Sequence, residues 1–509
     1  MSSELAVSLA RGRVVSPRAA PAEYGLRRAA GIALLVCAAV AAINVSSPRA
    51  LGVLLALAIA VPLIWRAPVM GLYILLGAAV TIESGTLGFP DSLTDRVPLF
   101  EGLNNSLNLG GISMNPVEIL IALVLVRAVS SATPQIRKRL VTGKLFVPYL
   151  LFLSTVLFGE VHGLLASGDF NKSLWEIRPQ VYGFLAFVVA SLLVRSRRDL
   201  EMLTLVVLVC VVLKAVIGDV RYFLVMGRQL GAHDGVLGHE DSYFLGLALI
   251  GLLAALIWTR RAAGFKLLLF ASPLVLAALL VNQRRAGILA LAGGLVTLTV
   301  LAIRFHPQLQ RRIAVFAVIA ALLTVGFLAI FWNQQSGIVG QLVRPVRSQF
   351  DPSYRDYLSD LYRQAENANL KLSFDTDRLL GMGFGMPFLT VYTQADISNN
   401  YPLWNYIPHN TLLWVGVRMG FVGLVTFWGL FTAAFLEICY LLRGRLDPFL
   451  MALVSVAGAA LVSELLVAYG DLQLESYRNI IFVGALFGIL NVLPTITKVV
   501  EPKPRRSLV

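Results

Sequence analysis

The sequence predicts an all-α, polytopic membrane protein, and three observations carry that prediction. Apolar runs long enough to cross a bilayer recur along all 509 residues, and a spanning helix needs about 20 such residues. Hydrophobic residues make up 57% of the chain and charged ones 14%, well below the charged share of a soluble domain. The basic residues fall in alternate connections between apolar runs, where orientation signals belong. A soluble globular domain is excluded. The net charge of +14 would suggest nucleic acid in a soluble chain. Here it reads as topology signal with attraction to membrane lipid, so no nucleic-acid partner is expected.

Twelve to fourteen transmembrane helices are expected. The basic stretch 1–27 reads as a cytoplasmic tail, and the run 28–45 after it lacks a small-residue cleavage site, so it reads as a retained helix. Runs 50–65 and 68–83 are short and suit a helical hairpin with Arg66 and Pro68 at its tip. Further runs lie near 115–132, 145–165, 180–195, 199–218, 242–259, 265–282, 286–304 and 313–332, completing an N-terminal membrane bundle over 28–332. A large polar segment, 333–410, precedes C-terminal membrane helices over 411–497, near 411–442, 449–470 and 479–497; 498–509 is a second cytoplasmic tail. The 411–442 run is longer than one span needs, so its first part is expected to be tilted or re-entrant. Cys37, Cys210 and Cys439 sit inside apolar runs, as buried thiols do, and do not suggest a disulfide framework.

With the N-terminus inside, one side receives Arg137-Lys138-Arg139, Arg197-Arg198, Arg260-Arg261, Arg304 with Arg311-Arg312, Arg443 with Arg445, and the tail's Lys498, Lys503, Arg505 and Arg506. By the positive-inside rule that side is cytoplasmic. The other side receives 84–113, 166–179, 219–241 and 333–410, and with them Arg178, Arg228, Arg285, Arg363 and His409. From Asp351 to Leu372, the spacing of Tyr354, Leu358, Leu361, Tyr362, Ala365 and Leu370 predicts one or two amphipathic helices over the outer mouth of the bundle.

The chemistry-bearing stretch is Tyr401–Gly423. Aromatics and Pro402 lead to Pro408-His409-Asn410, then to a glycine-punctuated apolar helix. His409 is expected in the first turn of that helix, where an interfacial histidine capped by Asn410 and flanked by an aromatic belt would also be at home. His409-Asn410 followed by Gly420-Phe421-Val422-Gly423 resembles the signature of the O-antigen ligase and O-antigen polymerase family. Arg284-Arg285-Ala286-Gly287 is similar to its Ser-Arg-Gly-Ala element, with Arg284 in the serine position. Arg363, followed by Leu379-Leu380-Gly381-Met382-Gly383-Phe384-Gly385, resembles its second arginine and glycine turn, with Asp377-Arg378 where the family often has His-Pro. The resemblance covers about 228–442.

That resemblance implies a GT-C-like bundle in the bacterial inner membrane, with its active site on the extracytoplasmic face. The activity implied is en bloc transfer of a glycan from polyprenyl (undecaprenyl) pyrophosphate to a glycan or lipid acceptor. Repeat-unit polymerisation by the same motifs is the alternative, and protein O-glycosylation a third. By the same resemblance the reaction inverts the anomeric centre and needs no metal and no cofactor. Arg285 and Arg363, with Arg284, would bind the pyrophosphate, since arginine's planar fork suits phosphate oxygens. His409 would act on the acceptor, a task for a base titrating near ambient pH.

Other readings of the same residues remain open. Arg285 also fits a helix-end anchor and Arg363 a solvated helix face. Arg178, Arg228 and Asn410 are second-tier candidates, Arg178 and Arg228 being equally suited to interface anchoring or local ion pairing. Asp375-Thr376-Asp377 spells a metal-nucleotide motif but reads as a polar turn. Gly381-x-Gly383-x-Gly385 lacks the strand–helix context of a phosphate loop and reads as a tight turn. A transporter or lipid-oligosaccharide flippase is the rival class; it predicts inward polar residues near the midplane and repeats across the bundle, and no such repeat is visible.

Overall fold

A computed structural model describes residues 48–83, 94, 97–103, 114–228, 235–259, 263–306, 308, 310–334, 337–399, 401–444 and 446–497. The expected span 28–45 and both tails lie outside these residues, as do Cys37, Arg260, Arg261 and Arg445. Among the described residues the regular structure is helical and no strand occurs. The helices are α1 (Pro48–Arg66), α2 (Pro68–Thr81), α3 (Pro116–Ser131), α4 (Pro134–Thr142), α5 (Phe146–Leu165), α6 (Phe170–Leu193), α7 (Arg197–Val220), α8 (His239–Trp258), α9 (Ala263–Val281), α10 (Arg285–Phe305), α11 (Gln310–Phe331), α12 (Gly337–Arg347), α13 (Tyr354–Thr376), α14 (Thr411–Arg443), α15 (Pro448–Ala468) and α16 (Tyr477–Thr497).

Ten of these are long and apolar enough to cross a membrane, so the chain is a multi-pass membrane protein. Among the described residues the number falls below the expected twelve to fourteen, in part because the run 28–45 lies outside them and in part for a geometric reason. At about 1.5 Å per residue, α2 reaches only about 21 Å against a hydrocarbon core of about 30 Å. It pairs with α1 through Arg66–Pro68 as the hairpin the sequence suggested. The 115–132 run ends at Ser131, and α4 leaves it at 115°, started by the Thr133 cap and Pro134.

At the centre α6 packs on α16 with the backbones nearly touching. A Cβ on Gly484 would lie 2.0 Å from the Gly183 carbonyl oxygen, and one on Gly488 2.4 Å from that of Phe187. Small residues at such a crossing are how membrane helices associate without a hydrophobic driving force. At the opposite extreme no residue of α11 is buried.

Contacts sort the helix ends into two sets. At one, Arg139 donates to the Ser191 and Val194 carbonyls, Asn491 bonds Leu145 and Leu140, Lys144 meets Glu437 at 2.9 Å, and Arg197 meets Asp447 at 3.5 Å. At the other, Glu83, Lys214, Arg221, Asp241 and Arg478 form a buried network in which Lys214 contacts both Glu83 and Asp241 while Arg478 also meets Asp241. The first set belongs to the arginine-rich connections and the second to the end that carries His409. Labelling tests the orientation: with Cys37, Cys210 and Cys439 replaced, a cysteine at exposed Thr393 is expected to react with an impermeant maleimide in spheroplasts, and one at exposed Gln135 is not. The reverse pattern inverts the protein.

Candidate functional site

The helix α14 begins at Thr411, the expected start of the apolar run, but contrary to expectation its first turn does not include His409. Asn410 is its cap, with Oδ1 accepting from the Leu413 N–H at 3.1 Å, so His409 stands just outside the first turn. The Pro408 ring disfavours helix in the residue before it, and the cap residue itself needs extended backbone. Freed from the helix, His409 is gripped by one carboxylate. Glu366 Oε2 accepts the His409 backbone N–H at 3.0 Å and Oε1 lies 3.1 Å from Nδ1. Glu366 is buried and His409 about a quarter exposed. The ring packs edge-on to Tyr362, and Asn410 donates to Asn367 at 3.1 Å.

Glu366 is one member of a polar face of α13. Asp356, Asp360, Arg363, Glu366 and Asn367 recur at three- and four-residue steps, so they line one side of the helix. Asp356 meets Arg344 of α12 at 3.4 Å. Asp360 takes both Nη atoms of Arg285, at the start of α10, at 3.1 and 2.7 Å. Arg363 lies within electrostatic reach of Asp471, in the α15–α16 connection, as His409 also does. The amphipathic helix is present, but inverted from the soluble pattern. Tyr354, Leu358 and Leu361 are exposed, Tyr362 and Ala365 are half-buried, and only Leu370 is buried. In a membrane protein the outward side can face lipid, and the polar side turns to Arg285, Arg344 and His409.

The glycine turn builds the floor below. Inside α14, Gly420 adopts φ +61°, breaking the helix. The freed groups bond the 378–383 segment: Met382 N–H to Val417 O at 2.7 Å, Gly383 N–H to Arg418 O at 3.1 Å, and Phe421 N–H to Arg378 O at 2.8 Å. Broken backbone at membrane depth persists only when satisfied in this way. Gly381, Gly383 and Gly385 have φ of +76°, +78° and +75°, and a Cβ on any of them would fall within 2.6 Å of neighbouring backbone. The turn therefore needs glycine for both conformation and space. The break sets off a Thr411–Met419 limb at the start of the long run.

Arg418 locks the turn. It is fully buried, its Nε 2.6 Å from Glu176 of α6, and its Nη atoms donate to the carbonyls of Gly383, Met386 and Tyr406. Glu176 accepts also from Gly385 N–H at 2.7 Å and Trp414 Nε1 at 3.2 Å. Through Tyr406, three residues before His409, the clamp reaches the site.

Of the residues singled out from the sequence, the structure brings His409, Arg363 and Arg285 to the same end of the bundle. Arg284 is the half-buried cap position of α10. Arg178 pairs with Glu118 at 3.3 Å and stacks on Trp175, a local role. Arg228 is exposed with φ +66°, and no described contact ties it to the cluster. Asp375 and Asp377 are consumed by the turn, pairing with Arg378 and accepting from Leu379 and Leu380 N–H.

Sequence reasoning missed Glu366, His239, Asp471, Glu176, Arg418 and Glu475. The signal for Arg418 was its charge inside an apolar run; the others sat in polar stretches without a distinguishing pattern. His239, the first residue of α8, pairs through Nδ1 with Asp471. Burial works against the Asp471 charge, but His239, Arg363 and His409 hold it well below the usual carboxylate range. Burial, aided by the Glu176 and Glu366 carboxylates, pushes Glu475 well above that range against the pull of Arg418. Among the described residues no group of three or more His, Cys, Asp or Glu is arranged to hold a metal. No family model matches the chain. No curated protein matches it either.

Proposed function

We propose that the protein is a membrane glycosyltransferase that moves a glycan from polyprenyl pyrophosphate to an acceptor hydroxyl, the reaction of the O-antigen ligase family its motifs resemble. The observation that carries this reading is the His409–Glu366 pair, on the polar face of α13 that also carries Arg363 and, through Asp360, holds Arg285. Glu366 on the Nδ1 edge orients the ring and fixes its tautomer, leaving Nε2 to take a proton. The acceptor oxygen attacks the anomeric carbon, the bond from that carbon to the diphosphate oxygen breaks, and the hydroxyl proton passes to Nε2. The leaving diphosphate departs with the bonding pair, so fixed cations beside it lower the barrier.

Arg363 and Arg285 are the cations offered. Arg285 already holds a planar two-oxygen anion in its fork, the Asp360 carboxylate, which a diphosphate would displace or share. On this reading the carrier lies in the bacterial inner membrane, as the resemblance implies, with the site on the extracytoplasmic face, which the charge bias of the connections supports. Ligase and repeat-unit polymerase use the same groups; the length of the product separates them.

Reconstitution with undecaprenyl-pyrophosphate-linked glycan and candidate acceptors tests the reading directly. Arg363→Lys keeps the charge and loses the fork, and is expected to lower the transfer rate about tenfold or more at unchanged abundance. Normal transfer by Arg363→Lys would remove bidentate recognition at that position. Absence of any transfer or donor binding by the wild-type chain would remove the whole reading.

A further inference from the structure

The same end of the bundle holds a second imidazole–carboxylate pair that the proposed reaction has not used. His239 opens α8 and points Nδ1 at Asp471. About a third of its side chain is exposed, while Asp471 is buried. The approach to His239 is built. Fully buried Asn282 accepts from the Val236 and Leu237 N–H groups at 3.0 and 2.7 Å and donates to the Gly238 carbonyl at 3.2 Å and to Ser242 at 2.8 Å. Asn282 lies three residues before Arg285, so one short stretch positions His239 and carries that arginine. Asp471 in turn sits within electrostatic reach of Arg363 and His409. His239 thus adjoins the stretch that carries Arg285, and each of the two histidines has its own carboxylate.

The acids next to His239 are otherwise engaged. Glu240 accepts from Ser476 at 2.8 Å and lies 3.9 Å from Arg478, and Asp241 is held between Lys214 and Arg478. With Nδ1 taken up by Asp471, covalent geometry leaves Nε2 as the atom offered to a ligand. In the imidazolium both ring nitrogens donate, so Nε2–H can meet an anion while Nδ1–H stays on Asp471.

We infer that His239, oriented by Asp471, is a second ligand-binding histidine of the site, donating as the imidazolium from Nε2 to the diphosphate beside Arg285 while His409 serves the acceptor. The inference rests on the transferase reading and deepens it, by dividing the two imidazoles between leaving group and nucleophile. An anionic lipid headgroup offers related phosphate chemistry, and the experiment separates the two.

The test is binding of inorganic pyrophosphate to the full chain in nanodiscs, by calorimetry, beside transfer kinetics. Asparagine places its amide where Nδ1 stood, so His239→Asn retains the Asp471 contact and removes the Nε2 donor; it carries the test if His239→Ala does not fold. Losing a charge-assisted hydrogen bond is expected to weaken pyrophosphate about 10- to 100-fold in His239→Asn. His409→Ala is expected to bind it like the wild type while failing to transfer. Pyrophosphate binding of equal strength in phosphatidylcholine and phosphatidylglycerol discs excludes a headgroup as the occupant; abolition by phosphatidylglycerol assigns the position to lipid and overturns the inference. Wild-type affinity in His239→Asn and His239→Ala also overturns it, with the transferase reading untouched. A wild-type chain that neither binds pyrophosphate nor transfers glycan defeats both.

Discussion

Replacing His409 by alanine is expected to abolish glycan transfer at near-normal protein abundance, with lipid-linked donor accumulating. The loss of a general base costs about 10²–10⁴-fold in rate. The fold contact is only half removed, because one of the two Glu366 bonds goes to the His409 backbone N–H and survives the substitution. What remains is a buried carboxylate with one partner fewer, a penalty of about 1–3 kcal/mol. Adding Glu366→Gln removes that buried charge, so the double variant is expected to recover stability without recovering transfer. A histidine with a purely structural role predicts the opposite: abundance falls in the single variant and activity returns with stability in the double.

His409→Gln separates proton transfer from orientation. A glutamine amide can hold an acceptor hydroxyl at the Nε2 position but does not take its proton at neutral pH. Substantial transfer by this variant would leave His409 an orienting role only. Full transfer by the alanine variant would remove it from the mechanism and with it the family likeness of this stretch.

The helices α5 to α11 and α14 to α16 were legible because each is one continuous apolar run with turn residues at its ends, and the structure starts most of them within a few residues of the expected place. Helix α6 is the exception. Its first turns, Phe170 to Arg178, are polar enough to read as a connection, yet Glu176 and Arg178 are buried there. What the apolar pattern could not reveal is pairing across the chain. His239 meets Asp471, Glu366 meets His409, and Arg418 meets Glu176 only after the bundle assembles, and no local periodicity encodes such meetings. Gly420 was equally hidden. A glycine in an apolar run is common in membrane helices, and only the Gly381–Gly385 turn packed into the gap explains why this one breaks the helix. Candidate cations were legible by type and side; which of them meets the His409 stretch depends on the polar side of α13 turning inward, against the soluble expectation.

Arg418→Met is expected to have the largest effect on the folded state. The substitution leaves the Glu176 carboxylate buried without its cation, and breaking such a pair by removing one partner costs roughly 3–5 kcal/mol. Three carbonyls, of Gly383, Met386 and Tyr406, lose their donor as well. Glu176→Gln is expected to be milder. Its amide oxygen still accepts from Gly385 N–H or Trp414, and Arg418 keeps three carbonyls around its charge. In the double variant Glu176→Gln, Arg418→Met no charge is stranded, so part of the loss should return; the three unpaired carbonyls prevent full return. Monodisperse protein remaining after a heating series measures the order: double variant between the two singles, Arg418→Met lowest. An Arg418→Met protein that survives heating like the wild type would show that the buried pair does not hold the glycine turn. Where folded Glu176→Gln protein can be purified, its rate should fall further than its abundance, because the clamp holds the Tyr406 carbonyl and so the approach of the chain to His409.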